Sequence, residues 1–98
     1  MPGETIEWGT PQPLMVRDEK GFRPTAVFGT VRAADDIDDM KLRTVIVGEL
    51  NDLLNSGRWD VDEVADHLGE LEAALLDQIQ DDFQVRIESV KIETFLVE

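Results

Sequence analysis

The densest group of potential ligands in the sequence is Asp35-Asp36-Ile37-Asp38-Asp39, four carboxylates within five residues and the donor type a calcium ion prefers. The group has neither the alternating ligand spacing nor the central glycine and closing glutamate of an EF-hand loop. It does stand at the start of an apolar-periodic segment, where carboxylates accept from free backbone amides and complement the helix dipole. Helix capping accounts for these acids, and no metal site is expected of them.

Histidine occurs once, at position 67, and cysteine not at all, so no zinc set, thiol nucleophile or disulfide can be assembled. On a helical wheel His67 borders an apolar stripe, the place of a rim residue, and no acid and cleft that would make it a general base can be named. Ser56 and Ser89 are the only serines and neither lies in a nucleophile elbow. Neither Gly-x-Gly-x-x-Gly nor Gly-x-x-x-x-Gly-Lys occurs, which removes those two phosphate cradles. Carboxylate pairs at almost any spacing arise by chance among 22 acids. The expectation is a non-enzyme without cofactor, metal or small-molecule substrate.

The elements that carry these residues are bounded by length and charge. A chain of 98 residues fits one domain with a modest core. Its 22 acids against 9 bases give a net charge of −13, which repels a nucleic-acid backbone. The charge is uneven: 0 over residues 1–33, −12 over 34–82 and −1 over 83–98. The longest apolar run, Ala73 to Leu76, is far short of the ~20 residues of a bilayer span, and no signal-peptide core follows Met1. A cytoplasmic protein is expected.

All four prolines fall in the first third, which reads as short strands and turns: Thr5 to Trp8, Leu14 to Arg17 and Thr25 to Arg32, the last two joined as a hairpin through Asp18-Glu19-Lys20-Gly21. Gly29 within the third strand marks a bulge or the close approach of another element. Apolar residues recur at helical spacing over a broad arc from Asp38 to Ser56, with Gly57 fitting the carboxyl end. A second amphipathic helix runs from Asp60, a good N-cap, to Asp82, with Val61, Val64, Leu68, Leu71, Leu75 and Ile79 in one stripe. Gln84 to Val97 alternates as a strand, but Val85 and Ile87 lie on one parity and Val90 and Ile92 on the other, which calls for a bulge near Glu88-Ser89. The fold class is α+β, a mainly antiparallel sheet from the two chain ends packed on two central amphipathic helices.

Ile6-Glu7-Trp8-Gly9-Thr10-Pro11, Arg17-Asp18 and Ala26-Val27-Phe28-Gly29-Thr30-Val31 resemble the opening of the SPFH or band-7 domain of stomatin, prohibitin and flotillin, in its bacterial virion-core-protein-like branch. The likeness resumes at Leu42-Arg43-Thr44-Val45-Ile46-Val47, passes through Leu50 to Leu54 and Leu68 to Leu76, and closes at Val85 to Ile92. The segment between Val31 and Met40 is compressed and lacks the family's Asp-Pro and phenylalanine pattern, so the resemblance is to a shortened domain. It implies a non-enzymatic scaffold that oligomerises and organises partner proteins, with peripheral membrane association, at the inner face, through segments outside these residues.

Two functions follow as expectations. One is that assembly module; the other is an acidic adaptor or inhibitor docking on a basic partner surface. The residues expected to contact a partner or second copy are Phe95, Leu96 and Val97, with Trp8 nearby. Three consecutive apolar residues cannot all face one side of a strand, and an edge strand invites sheet extension.

Overall fold

The computed structural model describes residues 5–19, 21–34, 37–83 and 86–98; Asp35 and Asp36 of the acidic group and Val85 of the last strand lie outside them. The elements are β1 (Thr5–Gly9), β2 (Leu14–Asp18), β3 (Gly21–Ala33), α1 (Asp39–Leu54), α2 (Val61–Val64), α3 (Leu68–Phe83) and β4 (Ile87–Val97). Strands from both ends of the chain form one antiparallel sheet and the helices come from the middle, an α+β architecture.

The 13-residue β3 is the spine. Its first half pairs with β2, from Asp18↔Gly21 to Leu14↔Thr25, and its second half with β1, from Gly9↔Phe28 to Thr5↔Arg32. β1 and β2 therefore lie end to end along one side of β3, and β4 pairs along the other side from Thr25↔Val97 to Ala33↔Ile87. Thr10 closes the gap between β1 and β2. Its N–H donates to the Val27 carbonyl at 3.0 Å, and its hydroxyl accepts from the Val27 N–H at 3.2 Å. β3 begins at Gly21, four residues earlier than the sequence suggests, and so contains Pro24. The proline is tolerated because its carbonyl, which accepts from the Glu98 N–H, points to the β4 side just past the end of that strand. A missing amide there breaks no ladder bond.

β4 carries two irregularities, at Glu88 and at Glu93, each leaving one residue without a partner on β3. The first is the bulge that the parity change demands: it lets Ile87 and Val90 both face the core. The second falls between Phe28 and Gly29, at the glycine singled out in the sequence.

Helix α1 starts on Asp38, whose carboxylate accepts from the Met40 and Lys41 amides, and buries Leu42, Ile46, Leu50 and Leu54. It packs on β1, β2 and α3, while α3 packs on α1 and β4. The single helix expected from Asp60 to Asp82 is instead two. The Asp66 and His67 amides donate to Glu63 and Val64 in tight three-residue turns, and the chain restarts when Glu70 and Leu71 donate to the His67 carbonyl. Asp66, His67 and Gly69 are all poor helix formers, so little opposes the break. Val61 and Val64 of α2 still join Leu71, Leu75 and Ile79 of α3 in the core.

That core lies in one layer between the helices and the inner sheet face, where Ile6, Trp8, Val16, Val27, Val31, Val90 and Ile92 point. Trp8, expected near a docking edge, is only 4% exposed and packs inside. Its indole N–H has no hydrogen-bond partner among the described residues. No helix of the described residues is long and apolar enough to cross a membrane.

Candidate functional site

Both sides of the sheet are closed by side chains from the helices. On the β1 and β2 side, Arg43 of α1 donates from Nε to the Glu7 carbonyl at 2.8 Å. Asn55, which caps the end of α1, accepts from the Arg17 N–H at 2.8 Å and donates to the Met15 carbonyl at 3.4 Å. The asparagine amide thus takes the place of a neighbouring strand. On the β4 side, the Glu72 carboxylate of α3 accepts from the Ile92 N–H at 2.6 Å, and Gln80 donates to the Ile87 carbonyl at 2.9 Å. Polar groups that an added strand would need at Glu7, Met15, Arg17, Ile87 and Ile92 are already engaged. Sheet extension, expected from the sequence as one route of self-association, is obstructed at these positions.

The flat face opposite the helices is a different surface. The registers place Phe22, Pro24, Ala26, Phe28, Thr30 and Arg32 of β3 on it, with Met15 and Arg17 of β2, Glu7 of β1, and Lys91, Thr94 and Leu96 of β4. Four of its large apolar side chains are strongly exposed: Met15 50%, Phe22 64%, Phe28 46% and Leu96 59%. Pro24 and Ala26, between them on β3, are half-buried. The Phe28 ring lies across Gly9, where a Cβ would collide with it. The result is a continuous apolar stripe along β3.

The stripe's electrostatics contrast with those of the whole chain. The outward strand positions carry Arg17, Arg32 and Lys91 against Glu7, and the two β4 bulges add the exposed carboxylates of Glu93 and of Glu88, which pairs with Arg32 at 2.7 Å. Most of the net charge of −13 sits on α1, α2, α3 and their loops. The sheet face is therefore nearly neutral on a strongly acidic protein.

The contact residues expected from sequence separate accordingly. Leu96 stands opposite Ala26 and points outward. Phe95 and Val97 stand opposite Val27 and Thr25, both fully buried, and pack against the core from a half-buried position. Trp8 is inside. Sequence does not mark Phe22, Phe28 and Met15 as contacts: their parity along β3 and β2 is visible in it, but which face the helices cover is not.

The residues considered for chemistry are dispersed. His67 is exposed at the start of α3, Asp38 caps α1, and no three His, Cys, Asp or Glu side chains among the described residues converge as a metal site. A cleft of ≈ 480 Å³ is lined by Asp18, Glu19, Arg23, Asp60 and Asp62. There Arg23 bridges to Asp62 at 2.5 Å and to Asp18 at 3.8 Å, tying the β2–β3 hairpin to α2. On the helix layer, the hydrogen bond that the protonated Glu49 carboxyl donates to Asp82, then burial and the surrounding negative charge, push Glu49 above its ordinary value. Comparison of the chain with models of protein families, with curated proteins and with solved structures finds no match.

Proposed function

We infer that this chain is a non-enzymatic assembly module that docks protein through its open sheet face. The observation carrying the reading is the stripe of Met15, Phe22, Phe28 and Leu96, exposed on the least acidic surface of a chain with net charge −13. Apolar side chains on that scale gain free energy when a partner removes them from water, and a contiguous patch of them marks an interaction site. The near-neutral surround lets a partner approach without crossing the repulsive field of the helix layer. The scaffold role implied by the SPFH or band-7 resemblance points the same way, and a cytoplasmic setting belongs to the same reading.

The competing function, an acidic adaptor on a basic partner, would work through the helix layer instead. Salt and one substitution separate the two. Binding of the apolar dye ANS, read by fluorescence in low and high salt, should survive salt and be lost in Phe28→Asp. Binding to a polylysine surface that disappears with salt and is indifferent to Phe28→Asp, with no salt-resistant dye binding, would favour the adaptor.

A further inference from the structure

We propose that the occupant of the open sheet face is a second copy of this chain, packed face to face about a twofold axis that runs along β3. The proposal rests on the docking reading above and adds the partner and its orientation.

The pattern on the face is self-complementary under that rotation. Glu7 and Lys91 flank Thr30 in one row, Glu7 on the β1 side and Lys91 on the β4 side. They are two strand spacings, about 10 Å, apart. A half-turn about an axis along β3 exchanges the two sides and keeps the row, so Glu7 of each copy comes opposite Lys91 of the other, forming two equivalent ion pairs. Phe22 and Phe28 lie on the axis strand and meet their own equivalents. Leu96, on the β4 side opposite Ala26, comes over the partner's β2 side, where Met15 stands opposite Pro24. The two are offset by two residues, about 7 Å; the crossing of aligned sheets at about 30° shifts them by about 3 Å of this, and their long side chains span the rest. A half-turn about an axis across the strands at Val27, the middle of β3, would instead set the Phe22 row against the Arg32 row and Met15 against Glu7.

Size and charge agree. A face three strands wide and about 43 Å long covers roughly 600 Å² per copy, matching the 44 Å long axis of the molecule. Two such faces bury roughly 1,200 Å², the lower bound of specific interfaces. The opposite broad surface of the described residues is the acidic helix layer, where two copies repel. Edge pairing is obstructed by Arg43, Asn55, Glu72 and Gln80.

The test is charge exchange across the row, read by sedimentation equilibrium on the full chain with folding checked by circular dichroism. The wild type should dimerise. Glu7→Lys alone and Lys91→Glu alone each set like charges opposite twice, and each should weaken the homodimer about tenfold. Mixing the two single variants should restore a dimer between them, because one chain then presents two cations and the other two carboxylates; the double variant should restore the homodimer. A wild type that is monomeric at millimolar concentration overturns the second copy as occupant. A dimer that is lost in Phe28→Asp but indifferent to both charge variants overturns the twofold arrangement while leaving the face. A dimer that survives both Phe28→Asp and Leu96→Asp removes the face, and with it the docking reading itself.

Discussion

Gly29 sits directly opposite Trp8 across the β1–β3 ladder, and a Cβ at Gly29 would stand 2.9 Å from the Trp8 ring and still closer to the Lys91 carbonyl oxygen on β4. One missing side chain therefore lets the indole lie in the core and lets β4 close against the same point, where its second irregularity occurs. Gly29→Ala should force the indole or the β4 backbone to shift, at about 1–3 kcal/mol. Thermal unfolding reads this directly; an unchanged midpoint would contradict the packing described.

Leu50 and Leu71, both fully buried, represent α1 and α3 in the single core layer. Leu50→Ala and Leu71→Ala should each cost ~2–5 kcal/mol in urea unfolding. Near-zero values for both would mean that the helices do not pack on this sheet.

Asn55 serves two elements at once, as the cap of α1 and as the substitute neighbour of β2. Asn55→Ala leaves the Arg17 N–H and the Met15 carbonyl to water, and about 1 kcal/mol of stability should be lost with the hydrogen bonds. The uncovered β2 edge should also raise the rate of aggregation on heating, followed by light scattering. A variant that is destabilised without aggregating faster would show that Asn55 caps the helix but does not guard the sheet.

Much of this fold is legible in the sequence because its signals are local. Helix starts at Asp38 and Asp60, the stripe through Leu71, Leu75 and Ile79, and the parity change between Ile87 and Val90 each depend on residues a few positions apart. The break between α2 and α3 was hidden because the stripe continues across it, while the poor helix formers Asp66, His67 and Gly69 lie off the stripe. The guarded edges are not legible. Arg43 and Glu7 are 36 residues apart and Asn55 and Arg17 are 38 apart, and nothing local marks an arginine or an asparagine as a strand's substitute. The open face is an intermediate case. Phe22 and Phe28 share a parity that the sequence displays, but its orientation is set only when α1 and α3 settle on the other side.

Glu49 gives the helix layer a pH signature. Its carboxyl titrates above 4.5 in the folded protein, chiefly through the hydrogen bond to Asp82, then through burial and neighbouring acids. The folded state thus holds a proton more tightly than the unfolded state, and this contribution to stability is present in acid and lost as pH rises through the raised value. Glu49→Gln should raise the melting temperature at neutral pH and flatten the gain seen on acidification. The group is largely solvated, so the effect should stay below ~1 kcal/mol. Parallel pH profiles for the wild type and variant would refute this assignment.

The protein contains its own control for the claim that the open sheet face is the working surface. Met15 lies on that face and is 50% exposed, whereas Met40 lies on α1 and is 76% exposed. Methionine oxidation follows accessibility. Hydroxyl-radical footprinting at dilute and concentrated protein, read by mass spectrometry, should therefore show Met15 protected as the chain associates while Met40 oxidises at an unchanged rate. Protection of Met40 with Met15 unaffected would place the contact on the helix layer and contradict the account.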